Sequence, residues 1–320
     1  DGLRIFVEAK GGLSHAITST SDLSADAVDR MAEETVALAQ ETAADPDAGL
    51  PDGPFASDLP NLALLDPADA GVDVDQLVSD SKRAEAAAAA VDPRIVNSEG
   101  SSADVDLATI HYANTAGFAG QYERATHSIL SQPVASQDGA MQTDYWFTVA
   151  RRRSQLETPD DVGRHAAERA LAQLGSRRIP TCEVPVVFDP MTARSLLGNL
   201  AACLSGYAVY RKSSFLGERL GDVVASDVLT VIDDGRLPGG LGSKPFDGEG
   251  QATRRTVVVE DGRLQSFLLD HYSSRKLGLA STGNASRSSG SAPGVGPTNL
   301  WIEPGTQSPA DLVQNMERGL

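Results

Sequence analysis

Thr256-Val257-Val258-Val259-Glu260-Asp261-Gly262-Arg263-Leu264-Gln265-Ser266-Phe267-Leu268-Leu269 is the stretch on which the fold turns. Two β-rich runs, 256–260 and 263–269, flank Asp261-Gly262, a pair that supplies the positive φ angles of a tight hairpin turn. The same signature recurs upstream, where residues 3–7 and 13–20 alternate apolar with polar across Gly11-Gly12. Short strands are predicted at Val105–His111, Ala125–Ser131 and Asp144–Val149, with glycines between them, a spacing that suits antiparallel pairing. Leu229–Ile232 reads as a further strand, and Glu183-Val184-Pro185-Val186-Val187-Phe188 as a short buried one.

Helices alternate with these strands. Ser24 is placed to cap a helix whose Val28, Met31, Thr35, Leu38 and Ala39 recur on one face, with Pro46 beyond its end. A second helix runs from Asp75 to Val91, and its alanine run, Ala86 to Ala90, predicts close packing against a sheet. Thr158-Pro159-Asp160-Asp161 places a hydroxyl cap, a first-turn proline and acids at the positive end of the dipole, and predicts a helix to about Leu174. Asp189-Pro190 opens another by the same logic, with Leu196, Leu197, Leu200 and Leu204 turned inward. Residues 46–72 read as a surface loop, and the Ser/Gly/Pro-rich 281–297 as a mobile one. The fold class is therefore α+β, in two domains of mostly antiparallel sheet and packed helices. They span 1–178 and 179–320, with the boundary in the basic turn 175–182.

Composition narrows the function. Of 320 residues, 41% are apolar and 22% charged, as in a folded globular chain. No run approaches the length that crosses a bilayer as a helix, so no membrane partner is expected. A net charge of −17 repels phosphate backbones, so no direct nucleic-acid partner is expected either. The triple basic run Arg151, Arg152 and Arg153 is too small a patch to change that and reads as a solvated face or strand end. Cys182 and Cys203 have no CxxC partner and read as reduced, buried thiols, which suits a cytoplasmic location. The chain opens on Asp1 rather than Met, directly into a strand, and stops inside a helical pattern, as a fragment would.

No catalytic motif stands out. The histidines, His15, His111, His127, His165 and His271, show no HExxH spacing. His111 and His127 lie on candidate strands where they could meet across a sheet, although structural roles suit them and His271 better. Ser213 and Ser214 adjoin Arg211 and Lys212, but adjacency in sequence does not make a serine–lysine pair. Asp233-Asp234 and Asp247-Gly248-Glu249 read as turn and surface acids, and Gly239, Gly240 and Gly242 open no helix that could bind phosphate. The residues alone imply a protein that binds something in an interdomain cleft.

A resemblance carries the reading further. Val186-Val187-Phe188-Asp189-Pro190, Ser195-Leu196-Leu197-Gly198 and Tyr210-Arg211-Lys212-Ser213-Ser214-Phe215 resemble the PmbA/TldD family. So do Leu241-Gly242-Ser243-Lys244-Pro245-Phe246-Asp247-Gly248-Glu249-Gly250, Tyr272-Ser273-Ser274-Arg275-Lys276-Leu277-Gly278 and Asn299-Leu300-Trp301-Ile302-Glu303-Pro304-Gly305. In the first half, Leu3–Val7, Asn97-Ser98-Glu99-Gly100 and the segment from Gly163-Arg164 to Glu168-Arg169 match too, so the likeness spans nearly the whole chain.

In this family the TldD-type subunit carries an HExxxH helix, two metal-binding histidines and a general-base glutamate, with a later cysteine ligand. Counting back from Arg211-Lys212 and Ser213-Ser214-Phe215, with one gap, puts Gly198 and Asn199 at the first His and the Glu, and Cys203 near the second His. The late cysteine would fall past Leu320. Glycine has no donor, and neutral Asn cannot deprotonate a bound water. The resemblance therefore implies the PmbA/TldE branch, with no catalytic residue, metal or cofactor of its own. It implies a TldD-like metalloprotease partner that holds zinc, and unfolded peptide as substrate, in peptide-antibiotic maturation, antitoxin turnover or general proteolysis. Arg211, Lys212, Ser213, Ser214 and Phe215 become candidates for cavity or interface contacts. A stand-alone peptide-binding or chaperone-like protein is the alternative, and an independent hydrolase a third.

Overall fold

The computed structural model describes residues 2–69, 71, 73–288, 290–316 and 318–320; residues 70, 72 and 289, within the two predicted loops, lie outside them. Strand β1 (Gly2–Ala9) pairs antiparallel with β2 (Gly12–Ser19), and Gly11 and Gly12 turn the chain at φ of 101° and 145°. Helix α1 (Ala25–Gln40) lies on this hairpin. Ser24 occupies its N-cap position without a side-chain bond. The buried stripe is Ala27, Thr35 and Ala39, while Val28 and Leu38 are exposed. A two-stranded hairpin is too narrow to cover the wider face that the periodicity predicted.

Helix α2 (Val74–Ala89) is capped by Asp73, which accepts from the Gln76 amide at 3.1 Å. Strands β3 (Ile95–Ala113) and β4 (Ala119–Gln137) are nineteen residues each, far longer than the short strands expected. With β5 (Ala140–Thr143) and β6 (Trp146–Ala150) they form an antiparallel sheet in which β3 is an edge and β4 pairs with the other three. The register sets Val105 opposite His127 and His111 opposite Gln121, so the two histidines do not meet. Helix α3 (Pro159–Ala172) starts where Thr158 Oγ1 accepts from the Asp161 amide. Helices α2 and α3 pack on each other and on the sheet through Ala84, Ala88, Ala166, Ala167 and Ala170; of the run Ala86 to Ala90 only Ala88 is buried, while Ala86, Ala89 and Ala90 are exposed.

Helix α4 (Pro190–Leu204) leads through Ser205 into α5 (Gly206–Tyr210). Strands β7 (Val231–Asp234), β8 (Arg255–Glu260) and β9 (Arg263–Leu264) precede α6 (His271–Leu277). The hairpin β10 (Ala285–Ser286) and β11 (Gly294–Val295), then β12 (Leu300–Ile302) and α7 (Pro309–Gln314), complete the order. The second sheet runs β12-β7-β8-β9, every pair antiparallel. Asp261 and Gly262 take φ of 47° and 74°, as the predicted turn requires. Strand β9 ends at Leu264 rather than 269, because Phe267 and Leu268 leave the sheet to join a core with Leu204, Val231 and Val258.

Four expectations fail here for physical reasons. Residues 183–188 form no strand; Val186 and Phe188 are exposed and Pro185 has no amide to donate. Leu196 is exposed, Leu197 and Leu200 are partly buried, and only Leu204 is fully inside. Cys182 is exposed and Cys203 half-buried, both as free thiols. Within 281–297, Asn284 and Ala285 are buried beside the β10–β11 hairpin rather than forming a loose linker.

The two halves are joined through buried groups. Leu62 and Leu64, in the predicted surface loop, are buried; Gly239 N donates to the Leu62 carbonyl at 2.7 Å and Ala125 N to the Leu64 carbonyl at 2.9 Å. Phe118, in the β3–β4 turn, and Tyr122 of β4 meet Phe246 edge-on, with ring centroids 5.0 and 5.2 Å apart. Arg151 is buried rather than solvated, and its guanidinium donates to the carbonyls of Ala125, Gly240 and Leu241 and to Thr126 Oγ1. Gly242 is glycine for packing, since a Cβ there would lie 2.1 Å from the Thr298 carbonyl oxygen.

Candidate functional site

Helix α4 positions the residues that the family resemblance singled out. Asp189 accepts from the Met191 amide at 2.9 Å and from the Thr192 amide at 3.4 Å, and Pro190 fixes the first turn. Gly198 and Asn199 then fall on the exposed side, with nothing within 4 Å of a Cβ placed on Gly198. Asn199 Nδ2 donates to the Ser195 carbonyl at 2.9 Å, so its amide is turned onto the helix backbone. Cys203 packs against the core around Leu204. A glycine, a back-bonded asparagine and a half-buried thiol do not fit a metal, which needs three or more converging donors. Among the described residues no such group of His, Cys, Asp or Glu assembles.

The segment after α5 is pinned to α4. Ser214 Oγ donates to the Cys203 carbonyl at 2.6 Å and accepts from the Leu216 amide at 3.1 Å, while Ser213 Oγ donates to the Ala208 carbonyl at 3.1 Å. Both hydroxyls thus serve the turn, and neither bonds a lysine. Arg211 lies over the rings of Tyr207 and Tyr210, 5.5 Å from each. Lys212, Ser214 and Phe215 come together at a cavity of about 470 Å³, and Phe215 is 71% exposed, the most prominent apolar side chain of the segment.

A second cavity, of about 480 Å³, opens between the ends of β3 and β4, the β1–β2 hairpin and the segments around 246 and 288. Tyr122 and Phe246 form an aromatic wall, and Tyr112 carries the Arg287 guanidinium 5.5 Å above its ring. Lys244 Nζ donates to the Ala285 carbonyl at 3.0 Å, and burial pulls the Lys244 pKa down. Sequence reasoning placed a cleft between the halves but none of these residues in it, since Arg124, Lys244 and Arg287 have no common spacing.

Beside this cavity lie the acids expected at turns and on the surface; three of them are buried instead. Asp247 accepts from the backbone amides of Glu249, Gln251 and Ala285 at 2.9 to 3.1 Å, and burial pushes its carboxyl up. Asp233 accepts from Asn284 Nδ2 and from the Thr298 amide, each at 2.7 Å. Glu249 accepts from the His271 amide at 2.8 Å; burial, then the charge of Asp270, pushes it up to about 8. These acids survive in the interior because backbone amides and a side-chain amide replace water.

Fold and site together define an α+β protein whose first sheet, β1–β2 hairpin and segments around 246 and 288 enclose a cleft. Residues 67–174 match the PmbA/TldA metallopeptidase central domain and residues 181–320 the PmbA/TldA metallopeptidase C-terminal domain. The chain is 40% identical over 268 residues to metalloprotease PmbA of Escherichia coli O157:H7, an alignment covering 83% of this chain and 59% of that protein. It therefore spans less than two thirds of that relative's length. A crystal structure of a candidate modulator of DNA gyrase from Bacteroides thetaiotaomicron superimposes with a TM-score of 0.88 at 25% identity, covering 99% of this chain and 70% of that one. TldE from Thermococcus kodakarensis, at 22% identity and a TM-score of 0.81 over 98% of this chain and 70% of that one, shares the fold. The chain belongs to the PmbA/TldD family, in its PmbA branch. No helix among the described residues is long and apolar enough to cross a membrane.

Proposed function

We propose that this chain is the non-catalytic, TldE-like subunit of a cytoplasmic heterodimeric metalloprotease that acts on unfolded peptides. A TldD-like partner supplies the zinc and the water-activating base, and this chain completes the enclosure that admits peptide. The observation that supports the reading is α4, where Gly198 is open to solvent and Asn199 is bonded back to the Ser195 carbonyl, the two residues that the resemblance assigns to the family's metal motif. Exposed Phe215 and its neighbours Lys212 and Ser214 are the proposed contacts for the partner or the enclosed peptide. The net charge of −17 weighs against direct DNA contact.

The test is co-purification with a TldD-like protein from the same source, followed by metal analysis and cleavage of an unfolded peptide. The mixture is expected to cleave, with zinc bound to the partner, while this chain alone neither cleaves nor holds zinc stoichiometrically. Tightly bound zinc together with peptide cleavage in the isolated chain would overturn the proposal.

A further inference from the structure

The cleft walled by β3, β4, the β1–β2 hairpin and the segments around 246 and 288 departs in charge from the rest of the molecule. The chain as a whole carries −17, yet the cleft is lined by Arg124, Lys244 and Arg287 against a single carboxylate, Asp247. That carboxylate is already saturated by three backbone amides. Arg287 has no carboxylate in salt-bridge reach among the described residues; its partner is the Tyr112 ring. Arg124 leans on Asp106 at 3.7 Å, an exposed pair on the outer part of the sheet. Half-buried Arg4 lies 4.5 Å above the Phe6 ring, feels the charges of both Glu249 and Arg287, and has no hydrogen-bond partner at its buried Nε. Cations gathered around an open volume, with donors to spare, leave a place for an anion.

The walls indicate which anion. Tyr122 and Phe246 offer apolar area beside the cations. At Thr109 to Tyr112 the cleft follows β3, an edge strand with no strand on its outer side among the described residues. An extended chain can add to such an edge through main-chain hydrogen bonds. A cavity of about 480 Å³ has room for the last few residues of a peptide but not for a folded domain.

We propose that this cleft holds the C-terminal carboxylate of an extended peptide, with Arg124 and Arg287 as its charged clamp, Lys244 at its base, and Tyr122 and Phe246 against the last side chain. The proposal rests on the peptide-processing reading above and names the end of the peptide that this subunit grips.

The test measures binding by the isolated chain, with no turnover. A fluorescently labelled, N-acetylated tetrapeptide of neutral residues ending in Phe is titrated as the free acid and as the C-terminal amide, with inorganic phosphate as competitor. The acid is expected to bind about tenfold or more tighter than the amide at low salt, as suits two charge-assisted bonds, with the advantage shrinking as salt rises. Arg287→Gln and Arg124→Gln should each remove most of that preference, weakening the acid far more than the amide. Equal binding of acid and amide, or a preference that survives in both variants, overturns the clamp while leaving the peptide-processing reading intact. Phosphate displacing the acid at equal concentration overturns the peptide assignment in favour of a general anion site. If neither peptide form binds and the chain also fails to support cleavage with a TldD-like partner, both readings fall.

Discussion

Arg151 Nε donates to the carbonyl of Gly240 at 3.3 Å, across eighty-nine residues of chain, from the segment after β6 to the segment after β7. The same guanidinium reaches Leu241, Ala125 and Thr126, and the side chain is almost wholly buried. Truncation would leave the buried Ala125 carbonyl and the part-buried carbonyls of Gly240 and Leu241 short of a donor. Arg151→Ala is expected to cost about 3 kcal/mol or more, because hydrogen bonds from a charged group are worth roughly 1.5–3 kcal/mol each and unmet acceptors add to that. Arg151→Lys should recover less than half, since an ammonium cannot span partners set out for a planar fork. Urea unfolding of the three proteins, followed by Trp fluorescence, checks both; a lysine variant as stable as the parent would contradict the geometry.

Two glycines in helices should respond oppositely to alanine. At Gly163 of α3 a Cβ would lie 2.0 Å from the Ala84 carbonyl oxygen and 3.0 Å from the Ala88 amide, both backbone atoms of α2 that cannot step aside. Gly163→Ala should destabilise by about 2 kcal/mol or more despite alanine's higher helix propensity. At Gly198 nothing lies within 4 Å, and Gly198→Ala should stabilise by about 0.5–1 kcal/mol. If α4 performs no metal chemistry, Gly198→Ala and Asn199→Ala should also leave turnover of the assembled protease nearly unchanged. Melting temperatures test the first pair, and a peptide-cleavage assay with the partner tests the second.

Glu249 gives stability a pH dependence of known sign. Burial, then the neighbouring charge of Asp270, pushes its folded-state pKa up to about 8, from an ordinary value of 4.5. Between those values the folded protein holds a proton that the unfolded chain has released. This contribution to stability therefore falls as pH rises from about 5 to 8 and is flat beyond. Glu249→Gln keeps an acceptor for the His271 amide and removes the titration. The variant should match the parent near pH 4.5 and exceed it by on the order of 3 kcal/mol near pH 8. Unfolding free energies at intervals across that range check the crossing; parallel curves would show that Glu249 does not titrate there.

What the sequence made legible was local. Thr158-Pro159, Asp189-Pro190 and Asp261-Gly262 each encode a cap or turn within four residues, and the structure places a cap or turn at each. Partners distant in sequence were not legible. Nothing in Arg151-Arg152-Arg153 says that the first side chain enters the interior while the second pairs with Asp66 and the third with Asp80. Asp247 and Glu249 look like turn acids until the amides of Gln251, Ala285 and His271 are seen to replace their water. The apolar run 183–188 looked like a strand because its side chains suit one, but its backbone pairs with Leu320 at Pro185 and Val187, and no ladder extends from there among the described residues. The cleft is the extreme case: its cations come from three separate segments, so only the folded chain shows them together.

Asp45 is where the N-terminal segment is clasped to α6. Tyr272 Oη donates to its carboxylate at 2.6 Å and Lys276 Nζ at 3.0 Å, and the same ammonium reaches Asp47 at 2.7 Å. Burial alone would raise the Asp45 pKa. Hydrogen bonds from Tyr272, the Asp47 amide and Lys276, with the lysine's charge, outweigh it and bring Asp45 down to about 2. A carboxylate depressed on folding stabilises the protein above its unfolded pKa and loses that contribution as pH falls from about 4 to 2. Asp45→Asn should therefore cost about 1–2 kcal/mol at pH 7, discounted for a clasp partly open to solvent, and almost nothing near pH 2. Tyr272→Phe should reproduce part of the loss at pH 7 and narrow the acid transition, because Asp45 would then titrate closer to its ordinary value. Acid unfolding of the parent and both variants separates these outcomes. If Asp45→Asn were as destabilising at pH 2 as at pH 7, its loss would come from packing rather than charge.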